Sequence, residues 1–270
     1  LRPSPGHNEI MLGVFGRAQR LYKVGVCSFA FLSNHYHIIL RARDAEQLSD
    51  FMGYFNSNLA REVARLTGWT DKIWSRRYDA ILISSEEGAQ VERMIYVLSH
   101  GVKELLVSRL VEWPGVHCVS ALLTDQSLEG TWFDRTREYS ARMRGEDFGA
   151  RSFAETEIVT LEPLPCWAHL PSEIYQERIA GLVEKIETDA ATERAWTGIQ
   201  PLGPEAIRRQ DPKSLPKKTK KSSAPFVHAF TRRARKELWE LYARFVGAFR
   251  EAAERLKSGE RNAVFPTGSF

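Results

Sequence analysis

Val24-Gly25-Val26-Cys27-Ser28-Phe29-Ala30-Phe31-Leu32, then Ser33-Asn34, then His35-Tyr36-His37-Ile38-Ile39-Leu40-Arg41-Ala42-Arg43, is the stretch on which the fold turns. The first run is β-branched, aromatic and small, with no helical spacing, and reads as a buried strand. Ser33-Asn34 is a turn signal and His35 to Arg43 reads as a second strand, so the two make a hairpin. Before it, Ile10, Met11, Val14, Phe15, Ala18 and Leu21 recur at helical spacing and predict an amphipathic helix over Asn8 to Lys23, with start signals at Gly6 and Asn8. After it, Leu48, Phe51, Met52, Phe55, Leu59 and Val63 form one stripe of a helix from Asp44 to Leu66, stopped at Thr67-Gly68.

Farther on, Asp79 to Ser84 reads as a short buried strand. Ser85-Glu86-Glu87 caps a helix that runs to about His100, with Val91, Met94, Ile95 and Leu98 facing inward. The order is α-β-β-α-β-α, and one strand ahead of Leu1 would complete the ferredoxin-like β-α-β-β-α-β pattern. The expected fold is therefore α+β: a ferredoxin-like, RRM-like antiparallel sheet with helices on one face, then a mainly helical C-terminal region. Beyond about residue 125 the periodicity weakens. Asp134 to Arg144, Ser172 to Arg194 and Phe226 to Lys257 read as helices, and Pro163 to Pro171 as irregular chain. The expected units are a first domain over 1–125, a helical extension over 126–199, a Pro- and Lys-rich linker over 200–225 and a helical segment over 226–270.

The chain has 270 residues, 43% apolar and 27% charged, enough for a sizeable core and against wholesale disorder. No apolar run approaches the roughly 18 residues of a membrane span, and no signal peptide is visible at the start. Cys27, Cys118 and Cys166 form no metal-ligand spacing and read as buried thiols of a reducing cytoplasm. The net charge of +4 hides an asymmetry: residues 200–270 carry 16 Lys/Arg against 7 Asp/Glu, and the remainder 22 against 27. A basic tail beside a slightly acidic body points to a polyanionic partner, nucleic acid first and a membrane surface second. A solvated basic linker accounts equally well for that composition.

His35 and His37 stand at i and i+2 of a strand, so both imidazoles project from one face while Tyr36 points the other way. That geometry suits two ligands on one divalent metal, with two packed or surface histidines as the alternative. Tyr96 and His100 stand at i and i+4 of a helix and share a face. His100 could close a three-histidine site with Tyr96 one turn away; the alternative for Tyr96 is a half-buried packing aromatic.

Phe31-Leu32-Ser33-Asn34-His35-Tyr36-His37-Ile38-Ile39-Leu40, Trp74-Ser75-Arg76-Arg77-Tyr78 and Tyr96-Val97-Leu98-Ser99-His100 together resemble the single-tyrosine HUH transposases, in particular the REP-associated tyrosine transposase branch. The resemblance covers roughly residues 1–125. It implies a ferredoxin-like catalytic domain that cleaves and rejoins single-stranded DNA through a covalent phosphotyrosine, at hairpin-forming repeats. Tyr96 would be the nucleophile, and His35, His37 and His100 would ligate Mg²⁺ or Mn²⁺. The family usually places Asn or Gln, often followed by Pro, four residues after the tyrosine. Here His100 and Gly101 occupy those positions, and a third imidazole shifts preference towards Mn²⁺ and other transition ions.

Arg76, Arg77 and Lys103 are candidates for backbone phosphate contacts, or for ordinary surface ion pairs. Trp69 and Trp74 are candidates for base stacking or core packing. Lys217 to Lys221 and Arg232-Arg233-Arg235-Lys236 would hold DNA electrostatically. His7, His117, His169 and His228 have no partner at ligand spacing and receive no role. The expected partner is single-stranded or hairpin DNA, with no membrane, for a monomer or homodimer in the cytoplasm at the nucleoid. The competing classes are a catalytically retired, sequence-specific DNA-binding protein of the same fold, and an unrelated metal hydrolase of small phosphate esters.

Overall fold

The computed structural model describes residues 2–124, 126–211, 214 and 225–269. Lys217 to Lys221 lie outside the described residues, as do 212, 213 and the rest of 215–224 in the expected linker. The architecture is mixed α/β, 52% helix and 12% strand, with small sheets. Helix α1 (Pro5–Tyr22) opens with Pro5 in its first turn and the Ser4 hydroxyl accepting the His7 N–H, and it ends at Lys23 in a left-handed conformation. Strands β1 (Gly25–Phe31) and β2 (Tyr36–Arg41) form the expected antiparallel hairpin, with Ala30 opposite His37 and a bulge between Val26 and Ser28. Helix α2 (Ala45–Thr67) is capped by Asp44 and closed by Gly68 at φ 68°.

The core between α1, β1 and α2 is aromatic. Phe15, Phe29, Phe51 and Phe55 are fully buried, and Phe15 packs edge-on to Phe29 at 5.1 Å between ring centroids. The inward stripes on α1 and α2 are those expected, except that Leu21 is exposed.

The first domain departs from a four-stranded sheet. Strand β3 is only Leu82–Ile83, and helix α3 spans Glu87–Leu98. β3 does not join β1 and β2. It pairs in parallel with β6 (Val227–His228) from the far end of the chain, and Leu82, expected to be buried, is exposed. The free edge of β1 is taken instead by the segment around His117, through Phe31 N–H to Val116 O at 2.9 Å and Cys118 N–H to Phe29 O at 3.2 Å. The carboxylate of Glu86 does not cap α3 either. It accepts the backbone N–H groups of Phe230 and Thr231 and the Ser84 hydroxyl.

The expected helical extension begins, after the short helix α4 (Val119–Thr124), with a second hairpin. β4 (Leu128–Phe133) and β5 (Ala154–Val159) flank α5 (Arg135–Met143). This hairpin lies on α1 at backbone contact: a Cβ at Gly13 would sit 2.0 Å from Thr131 O, and one at Gly130 only 2.1 Å from Gly13 N. Only glycine permits that approach. Residues 126–159 therefore pack directly onto the first domain. Helix α6 (Ser172–Thr197) follows, then α7 (Pro204–Arg209), where a linker was expected. α7 buries Ile207, and the chain before it bonds back through Leu202 N–H to Leu105 O. Helix α8 (Arg232–Lys257) begins six residues later than the sequence implies because Val227 and His228 form β6. Among the described residues no helix is long and apolar enough to cross a membrane.

Candidate metal centre and tyrosine site

β2 and α3 face each other beside the hairpin turn, and their side chains converge as the spacing predicts. The ring centroids of His35 and His37 lie 5.0 Å apart, those of His37 and His100 4.1 Å, and those of His35 and His100 5.9 Å. One ligand nitrogen from each lies within 4.8 Å of the other two. Tyr96 stacks edge-on against two of them, 5.2 Å from His37 and 4.6 Å from His100. Tyr36 points the opposite way, where its hydroxyl donates to Asn56 Oδ1 at 2.8 Å and its ring meets Trp74.

Hydrogen bonds fix which nitrogens are available. His100 Nδ1 lies 2.6 Å from the Tyr96 carbonyl, and His35 Nδ1 lies 2.6 Å from Asn34 Oδ1. Both partners are oxygens that only accept, so each Nδ1 carries the proton and each Nε2 is left as an acceptor. An imidazole oriented this way through its other nitrogen is the usual arrangement for a metal ligand. His37 Nε2 is buried with no hydrogen-bond partner among the described residues. A buried orphan nitrogen costs stability unless something else binds it. Burial drives the His37 pKa down to about 3, with His100, His35 and Arg93 adding to the shift. Burial also lowers that of His35, followed by His100, with Glu104 opposing. Neutral imidazole is the ligating form, so both shifts favour coordination near neutrality.

These residues fit a divalent ion. Three nitrogens at metal bonds of about 2.1 Å sit roughly 3.5 Å apart, so closure needs only small inward rotations, and His35 is exposed enough to make them. An all-imidazole set suits Mn²⁺ or a later transition ion better than Mg²⁺, which prefers oxygen.

The remaining expected residues divide. Lys103 joins the site, exposed, with Nζ 5.9 Å from the Tyr96 ring centroid. Arg76 and Arg77 do not. They lie on the α2 side of β2, around a depression of about 340 Å³ that Trp74, Tyr78 and Asn56 also line. Arg76 pairs with Asp79 at 2.6 Å, and Arg77 donates to the carbonyls of Gly268 and Ser269. Trp74 is engaged through Nε1–H to the Asn56 carbonyl at 2.9 Å, whereas Trp69 is partly exposed near the end of α2. In the α8 cluster, Arg233 and Lys236 pair with Glu237 and Glu240, and Arg235 donates to the Ala229 carbonyl.

No family model, curated protein or solved structure matches the chain.

Two residues passed over in the sequence stand beside the site. Arg93 Cζ lies 5.0 Å from the Tyr96 ring centroid, and His228 lies against Arg93. Arg93 was visible in principle, because it stands three residues before Tyr96, at the i, i+3 step of one face of α3. Nothing local marks His228.

Proposed function

We propose that this protein is a metal-dependent single-strand DNA endonuclease and strand transferase, acting through Tyr96 at hairpin-forming repeats in the manner of REP-associated tyrosine transposases. The observation that carries the reading is the convergence of three imidazoles, from a strand and a helix, on a face that also holds Tyr96. The β1–β2 hairpin with α2 and α3 supports a ferredoxin-like ancestry for this half of the chain. A DNA partner also places the protein at the nucleoid.

His35, His37 and His100 would hold the divalent ion, which when bound polarises the scissile phosphate and offsets the charge that develops there. The Tyr96 hydroxyl attacks phosphorus, the bond to the departing sugar oxygen breaks, and the strand is held as a phosphotyrosine. The half-exposed ring gives its proton to solvent. The sugar hydroxyl of an incoming strand end reverses the step, and the ester keeps the bond energy that hydrolysis would discard. Lys103 holds the phosphate chain near the ring.

The test mixes the protein with labelled hairpin-bearing single-stranded DNA and Mn²⁺ and looks for a retarded band on a denaturing gel. A band lost with chelator and with Tyr96→Phe is expected. DNA binding without a band would support the retired, non-catalytic protein. Phosphate-ester turnover without a band would support the metal hydrolase. Either overturns the proposal.

A further inference from the structure

We infer that Arg93, held in place by His228, is a phosphate-binding residue of the Tyr96 site, so that the C-terminal segment around β6 completes a centre built mainly from β2 and α3. The inference rests on the reading above, since it assigns that site a further residue.

Arg93 is half-buried on α3, three residues before Tyr96 and on the same face. Among the described residues it has no carboxylate within ion-pair distance, and its Nε is buried without a partner. A guanidinium taken partly out of water beside the imidazoles of His37 and His228 is unfavourable until an anion arrives. Its planar fork matches the two non-bridging oxygens of a phosphodiester. Lys103, likewise without an ion pair among the described residues, flanks the ring at 5.9 Å. Tyr96 is thus bracketed by two uncompensated cations one turn before and two turns after it.

The orientation of Arg93 comes from far along the chain. Its Nη2–H donates to His228 Nδ1 at 3.1 Å. That bond puts the His228 proton on Nε2, which lies 3.0 Å from Glu92 Oε2, within ion-pair distance but not aligned for a hydrogen bond. His228 thereby stands between Arg93 and the adjacent acid. The segment carrying it is anchored to the start of α3: Leu82 N–H bonds Phe226 O at 3.0 Å, Ser84 N–H bonds His228 O at 2.9 Å, and Glu86 accepts Phe230 N–H at 2.8 Å. Arg93 would touch substrate; His228 is a positioning residue.

The test uses the full chain and a fluorescein-labelled hairpin-bearing single strand. Binding is measured against salt in chelator, and adduct formation with Mn²⁺. Arg93→Gln should flatten the slope of log affinity against log salt by about 0.7, the contribution of one single-strand phosphate contact. It should also slow adduct formation on the order of 100-fold. His228→Leu should slow it about tenfold. His228→Gln, which can accept from Arg93 and donate towards Glu92, should recover most of that loss. A merely structural role for His228 predicts no such difference between Leu and Gln, and equal rates for the two overturn the positioning role. An unchanged salt slope in Arg93→Gln overturns the phosphate contact, whatever the adduct does. If the wild type forms no adduct, the proposed function fails, and the metal-free slope alone decides the role of Arg93.

Discussion

Two regions of this molecule bury ionisable groups, and they treat them in opposite ways. Where α1 meets the β4–β5 hairpin, every buried charge is matched. Glu157, 4% exposed, receives Arg17 at 3.0 Å and Arg20 at 2.6 Å, and Arg17 also lies 3.8 Å over the Trp132 ring. Glu62, on the buried face of α2, is likewise clamped by Arg65 and Arg135. On the α3 face, by contrast, Arg93 and Lys103 flank Tyr96 with no counter-ion among the described residues, and His37 Nε2 and Arg93 Nε are buried with no hydrogen bond there. A buried cation without a counter-ion costs stability, which a bound anion would relieve. Arg17 Nε is also buried without a hydrogen bond among the described residues, but its guanidinium keeps two carboxylates, so counter-ions are what distinguish the two regions.

The comparison can be broken or sharpened by substitution, starting with the scaffold. Gly13→Ala drives a Cβ into the Thr131 carbonyl and should destabilise the protein by about 4 kcal/mol, on the scale of severe overpacking; melting and soluble yield would show it. Glu157→Ala leaves Arg17 with only the part-exposed Glu155 and removes the partner of Arg20, and should cost about 2 kcal/mol, read by denaturant unfolding, with metal affinity unchanged. A site residue should behave in reverse. His37→Ala should weaken Mn²⁺ binding by about 100-fold in a metal titration while leaving the melting temperature of the metal-free protein level or higher, since an orphan buried nitrogen is removed.

The smallest effect concerns pH. Burial holds the His117 pKa down to about 4, against about 6.5 in an unfolded chain. Between those values the unfolded state binds more protons, so this contribution to stability is complete above about pH 6.5 and is lost as pH falls towards 4. His117→Asn keeps an acceptor for the Val119 N–H and should flatten that part of the stability–pH curve.

The same contrast explains what the sequence could show. α1, β1, β2, α2 and α3 were legible within a few residues because each carries its own apolar period. The histidine cluster was legible because both pairs are local: His35 and His37 stand at i and i+2 at the start of β2, and Tyr96 and His100 at i and i+4 across the end of α3. β4 and β5 were not, since Gly130 interrupts one strand and Glu155, Thr156 and Glu157 fill the other with polar residues, the two acids finding their arginines on α1. The β3–β6 pairing rests on two residues in each strand and joins positions far apart, so neither period nor propensity could announce it. Arg77 looked free for phosphate because its acceptors, the carbonyls of Gly268 and Ser269, are almost two hundred residues away.

The most direct measurement digests the protein after reaction with hairpin-bearing single-stranded DNA and Mn²⁺, and weighs the peptides. The expected result is one nucleotide-bearing peptide, with the phosphate ester on Tyr96. Cleaved DNA with unmodified Tyr96, or an ester on any other residue, would contradict the central claim.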